Sequence, residues 1–293
     1  MILGLNLTWH WSPGALIFII LLCLLYGLAI QYGQRRNPQQ AVIKPHHLVA
    51  FGTCIVLMAL LLLTPFDTLA RTQLFAAHMV QVVFLVTLCA PLFLFACPEW
   101  LWQPVLQWPP TRSILNKLTR PFIASLIFNL TFFFWHAPNP FHYALQHGPI
   151  YHVELLSLFL ASLLNWWPLI GPVRELRRLS YPLQMLYAFL DGQPVDVFAF
   201  LLVFTGVVFY PYYQIPAPLL RLGLTAYPLQ AMGGTFLMIP GLVDLIVMTP
   251  LFFRWLGQME AKAKAADQKM QEELEEEAAL EESGSGTLTE ARD

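Results

Sequence analysis

Three histidines sit in stretches where the chain otherwise carries almost no polar side chain. His78 lies inside Phe75-Ala76-Ala77-His78-Met79-Val80-Gln81. His136 closes Phe132-Phe133-Phe134-Trp135 and precedes Ala137-Pro138-Asn139-Pro140. His152 opens a long apolar run, with Glu154 beside it. Polar residues at such depth are expensive and commonly functional. Imidazole suits Cu(I), Cu(II) or haem iron, and the thioether of Met79, next to His78, suits Cu(I). Met232 and Met238, from a later apolar stretch, would extend a mixed His and Met set. The plainer reading stands beside this one. Histidine near a membrane surface often only bonds a carbonyl or a headgroup, and methionine is common packing.

Gln81, Asn129, Asp196 and Asp244 are the other candidate polar residues inside apolar stretches. Asn129 precedes His136 by seven residues, so both fall on one helical face. Asp196 and Asp244 come from neighbouring stretches and are expected to share a polar pocket, for a proton path or for structural hydrogen bonds. Cys23, Cys54, Cys89 and Cys97 are dispersed with no CxxC pair, which reads as buried small hydrophobes rather than a thiolate site or disulfide. Gly233-Gly234 and Gly241 permit close helix packing.

These residues must be held by membrane helices. Of 293 residues, 57% are hydrophobic and 12% charged, about half the charge of an average soluble chain. That excludes a disordered chain, a coiled coil, a nucleic-acid binder and an ordinary soluble enzyme. A bilayer core needs about 20 apolar residues in helix, and open sheet is forbidden in lipid. Seven stretches qualify: Gly14 to Gln31, His47 to Pro65, Leu74 to Cys97, Pro121 to Ala137, Ile150 to Ile170, one within Leu183 to Tyr210, and Pro228 to Leu256. In the sixth, Asp191-Gly192-Gln193-Pro194 predicts a short interfacial helix and then a span from about Pro194 to Tyr213; one long kinked helix is the alternative. Pro240 predicts a kink in the seventh. Residues 1–256 form the membrane domain. Residues 257–293 form an acidic tail, expected to be helical at first and then disordered. The first stretch lacks a basic leader and a cleavage site, so it reads as an anchor rather than a signal peptide.

Basic residues mark cytoplasmic loops. Arg35, Arg36, Lys44, Arg112, Lys117, Arg120, Arg174, Arg177, Arg178, Arg254, Lys262, Lys264, Lys269 and Arg292 fall on one side of the seven-span alternation. Arg71 and Arg221 alone fall on the other. The N-terminus is therefore expected outside and the C-terminus in the cytoplasm. Of eight histidines, His10, His78, His136, His142, His147 and His152 then lie at or near the outer face, leaving His46 and His47 inside. His10, His142 and His147 read as ordinary loop residues.

Ala77-His78-Met79-Val80-Gln81 followed by Leu88-Cys89-Ala90-Pro91 resembles the third span of the multi-pass CtaG family of cytochrome c oxidase assembly factors. Phe134-Trp135-His136-Ala137-Pro138, His152 with Asn165-Trp166-Trp167-Pro168, Phe209-Tyr210-Pro211-Tyr212-Tyr213 and Gln230-Ala231-Met232-Gly233-Gly234 follow in the family's order. The resemblance runs from about Leu74 to Leu256. It implies a seven-span, non-enzymatic assembly factor for haem-copper oxidase that helps load copper on the outer side of the membrane, distinct from the single-span copper chaperone of the same name. His78, Met79, His136 and His152 would then be copper ligands. The implied partners are cytochrome c oxidase subunits, a copper-donating chaperone and the lipid bilayer of a plasma or internal respiratory or thylakoid membrane. Two departures stand out: Leu229 occupies a position that is usually acidic, and the acidic tail lies outside the shared pattern.

Other functions are weighed against the residues. A haem-binding electron carrier or haem-modifying protein would use paired histidines on adjacent spans; three credible ones limit it to a single site. A retinal pump is excluded, because Pro228 to Leu256 contains no lysine. Nothing supports a receptor. A transporter has only Asp196, Asp244 and the Gly192–Pro194 break in its favour, with no inverted repeat.

Overall fold

The computed structural model describes residues 7–9, 12–36, 38–39, 41–177 and 179–290, with side chains as far as residue 276. His10 and Arg178 therefore lie outside the described residues. Proline begins most of the helices. Pro45, Pro65, Pro109, Pro121, Pro138, Pro149 and Pro182 occupy first-turn positions. There the missing N–H has no helical partner to lose, and the fixed φ is already helical.

The elements in chain order are α1 (Pro13–Arg36), α2 (Pro45–Leu62), α3 (Pro65–Thr72), α4 (Phe75–Phe84), a π-turn (Leu85–Cys89), α5 (Ala90–Ala96), α6 (Glu99–Gln107) and α7 (Pro109–Leu118). There follow α8 (Pro121–His136), α9 (Pro138–Gln146), α10 (Gly148–Ile170), α11 (Tyr181–Phe204), α12 (Ala217–Arg221), α13 (Ala226–Leu237) and α14 (Ile239–Glu290). All regular structure among the described residues is helical.

Among the described residues, six helical stretches are long and apolar enough to cross a membrane, or seven if the bent pair α7 and α8 counts as one span. That pair is bent by 74°. The expected fourth span is thus short: α8 has 16 residues, about 24 Å at 1.5 Å per residue. Its neighbour α7 carries Arg112 and Lys117.

Of the two forms expected for the sixth span, the structure has the single long helix rather than a short helix followed by a separate span. Gly192 and Pro194 do not break it; α11 is one helix from Tyr181 to Phe204, and residues as far as Tyr213 lie in the loop beyond. Breaking a helix in lipid strands several backbone groups, whereas an internal proline removes one donor. The kink expected at Pro240 takes the form of a break at Met238 between α13 and α14. The helix then continues through the tail to Glu290, past Gly284-Ser285-Gly286. Alanine, lysine and glutamate in that segment favour helix. His142, expected in a loop, lies on α9.

The third and fifth spans form the centre. In both, 61% of the apolar window is buried, against 17% for α1. The π-turn lies one turn ahead of Pro91, where a proline would otherwise disturb the ladder. The Trp166 indole of α10 donates to the Val86 carbonyl there, at 2.7 Å. This ties the two central spans together at mid-helix. Large apolar side chains such as Phe122, Leu130 and Ile246 face outward, as lipid contact requires.

Candidate metal centre

His78, on the first turn of α4, and His136, the last residue of α8, meet Glu154, on the second turn of α10. Each offers one ligand atom, and these atoms lie within 4.8 Å of one another. All three residues are buried, His78 and Glu154 completely. His78 Nε2 is 3.2 Å from Glu154 Oε1. Yet Nε2 of both histidines and both oxygens of Glu154 lack a hydrogen-bond partner among the described residues. Buried polar atoms are normally satisfied, so three groups aimed at one point without partners offer a donor set able to hold an ion between them.

The opposite ring nitrogens are occupied, and their partners set the tautomers. His136 Nδ1 is 2.8 Å from the Phe132 carbonyl. A carbonyl only accepts, so Nδ1 carries the proton and Nε2 presents a lone pair. His78 Nδ1 is 2.9 Å from the Tyr151 hydroxyl. Tyr151 donates its own proton to Gln81 Oε1, so its oxygen accepts from His78, and His78 Nε2 also presents a lone pair. Gln81 is anchored in turn, its Nε2 donating to the Leu61 carbonyl at 2.7 Å and to Asp67 Oδ1 at 3.2 Å. Two neutral imidazoles and a carboxylate, oriented by outer partners, have the chemistry of a metal-ligand set.

Helix geometry explains which residues join. Tyr151 and Glu154 are three apart on α10 and share a face, as do His78 and Gln81 on α4. His152, two residues before Glu154, faces elsewhere. Its Nε2 lies 3.3 Å from Asp67 Oδ2 and 2.9 Å from Ser12 Oγ, and its Nδ1 lies 2.8 Å from the Gly148 carbonyl. Met79 is fully buried but leaves the helix about a quarter-turn from His78, and its side chain lies against Gly233. Met232 is 44% exposed. The expected set of His78, Met79, His136 and His152 thus divides: His78 and His136 meet, while Met79 and His152 go to other neighbours.

The aromatic surround seals the site. Phe141 of α9 is fully buried, with its ring centroid 5.0 Å from that of His78 and 6.0 Å from that of His136. Phe132 stacks on His136 at 4.1 Å. The Tyr210 hydroxyl donates to the His136 carbonyl at 2.5 Å. Gln230 positions Tyr210: its Oε1 accepts from the Phe209 and Tyr210 amides, and its Nε2 donates to the Val207 carbonyl. Leu229, at the position that departs from the resemblance, is buried beside it.

The other polar candidates gather elsewhere. Asn165 Nδ2 donates to Asp191 Oδ2 at 2.5 Å, and Asn129 Nδ2 lies 3.4 Å from Asp191 Oδ1. Asp196 and Asp244 line the same small cavity as Asp191, so the shared pocket expected of them is present. Asn129 belongs there rather than with His136.

Glu154 and Tyr151 escaped selection as site residues on sequence. The usable signal was that Glu154 is the sole acid between Ile150 and Ile170.

Compared with known proteins, residues 24–258 match the family described as cytochrome c oxidase caa3 assembly factor, or CtaG. No curated protein matches, and neither does any solved structure.

Proposed function

Because the chain belongs to the cytochrome c oxidase caa3 assembly factor family, we propose that it serves oxidase assembly by holding a copper ion between His78, His136 and Glu154 and releasing it to an oxidase subunit. Copper is cargo in this reading, and the protein acts without catalysis. One observation carries it: two imidazole lone pairs and a carboxylate converge, fully buried, with no partner of their own. The two histidine Nε2 atoms supply the donors copper favours. Glu154 supplies the negative charge that lets a cation rest where water is absent. Phe141 and Phe132 keep solvent from the ion. The distribution of basic residues supports an outward-facing site, where a copper-donating chaperone and the oxidase would meet it.

The donor set supports a second reading. Two histidines and one carboxylate also suit zinc or ferrous iron. A haem between the two rings is less well supported, since their centroids are 5.7 Å apart and Phe141 and Tyr151 occupy the space a macrocycle needs.

The test is metal analysis of detergent-purified protein, wild type against His78→Ala and His136→Ala. Copper in the wild type and its loss in both variants is expected, together with an oxidase that is present but copper-poor in cells carrying the variants. Zinc or iron in place of copper would favour the second reading. A Soret band would restore the haem carrier. A reporter fused after Asp293 should read cytoplasmic; a periplasmic or lumenal signal would overturn the outward-facing site.

A further inference from the structure

A cavity of about 400 Å³ lies between α1, the end of α2, α3 and the first turns of α10. It does not include the residues of the metal centre. Its two ends differ in chemistry. Ser12, Asp67, Arg71 and His152 form one; Phe18, Met58, Leu85 and Phe159 wall the other. Phe159 follows His152 by seven residues on α10, about 10 Å further along the helix. The cavity is therefore polar where α1 and α10 begin and apolar toward the middle of the spans. A lipid has the same order of head and chain.

The charges at the polar end are unevenly spent. Asp67 is engaged by His152 and by Gln81. Arg71 is not so engaged: its Nη1 reaches the Leu145 carbonyl at 3.4 Å, and no carboxylate among the described residues pairs with it within 4 Å. Arg71 is also one of two basic residues that the charge alternation leaves on the histidine side. A cation there runs against the usual bias and calls for a local reason. The neighbouring wall is loosely held, since α1 buries only Ala15, Ile19 and Tyr26.

We propose that this cavity binds a phospholipid with an anionic headgroup, its phosphate on the Arg71 guanidinium and one acyl chain between Phe18, Met58 and Phe159. Guanidinium matches phosphate by paired N–H donors, and the apolar half of the cavity suits an acyl chain. The lipid would complete the seating of α1. It would also sit at the end of the hydrogen-bonded chain from Asp67 through Gln81 and Tyr151 to His78, so its occupancy and the orientation of His78 are linked. The binding proposal itself does not depend on which ion the metal centre holds.

The test uses the full chain in micelles of an uncharged maltoside detergent, with melting followed on addition of phosphatidylglycerol, phosphatidylcholine or inorganic phosphate. Phosphatidylglycerol should raise Tm for the wild type and the control Arg221→Gln, raise it less for Arg71→Lys, which keeps the charge but not the paired donors, and lose that effect in Arg71→Gln. Native mass spectra of the wild type alone give a second readout, with one phosphatidylglycerol retained in preference to phosphatidylcholine. Equal shifts with phosphatidylcholine, the same shift with inorganic phosphate, an undiminished shift in Arg71→Gln, or no preferential retention would each overturn the proposal.

Discussion

His78 Nε2 and Glu154 Oε1 face each other across 3.2 Å, fully buried and outside hydrogen-bonding geometry. The pair comes from two central spans, and His136 completes it from a third. Glu154→Gln keeps the shape and removes the charge. Metal affinity should fall by more than the roughly 10–100-fold that loss of an outer partner costs. Competition against a chromogenic Cu(I) chelator measures it, and unchanged affinity would remove Glu154 from the site.

Tyr151→Phe tests the orienting partner. Without the hydroxyl, His78 Nδ1 loses its acceptor and Gln81 Oε1 loses its donor. Affinity should drop by about 10–100-fold, with about 1–3 kcal/mol of stability lost from the stranded buried groups. Chelator competition and a thermal melt on one sample separate the two effects. A stability loss with full affinity would leave Tyr151 a purely structural role.

His152→Ala separates the two histidine–carboxylate pairs. His152 belongs with Asp67 and Ser12, so its loss should leave the metal content of purified protein near the wild-type level. Depletion as complete as in His136→Ala would mean that His152 joins the site when metal arrives.

Gly233 is where α13 meets α4. A methyl added there would lie 2.6 Å from the Phe75 ring and 3.0 Å from Met79 Cγ. Gly233→Ala should cost about 1–3 kcal/mol through overpacking, read as a lowered Tm. It should also weaken metal binding, because Phe75 and Met79 flank His78 on the same helix.

In the structure the third span ends at Ala96, one residue short of the expected limit, and Cys97 lies just beyond it. Burial, with Cys54 nearby, pushes its thiol up to about 12. A raised value keeps the thiol neutral until pH approaches 12, so thiolate is scarce at pH 8. Maleimide at pH 8 should leave Cys97 unmodified in folded protein and label it in denaturant, as peptide mass spectrometry would show.

Much of this protein is legible along the chain because lipid narrows the choices. Apolar runs of span length must be helices, proline marks where they start, and buried histidines stand out against phenylalanine. That logic reached the all-helical membrane bundle and the family resemblance, and it singled out His78 and His136, which the fold buries side by side. It reached less far at Asp191-Gly192-Gln193-Pro194, where local breaking signals yielded to the cost of opening a helix in lipid.

The composition of the site was decided only by tertiary structure. Periodicity states which residues share a face, but not which faces meet. His152 and Glu154 are two residues apart, so only one of them can point at His78, and nothing in the linear order says which. Packing of α10 against α8 and against the π-turn and α5 of the third span turned Glu154 and Tyr151 inward and sent His152 to Asp67. The chain by itself determined that imidazole would be buried in a membrane; the meeting of three helices decided that a carboxylate, rather than a third histidine or a thioether, would face it.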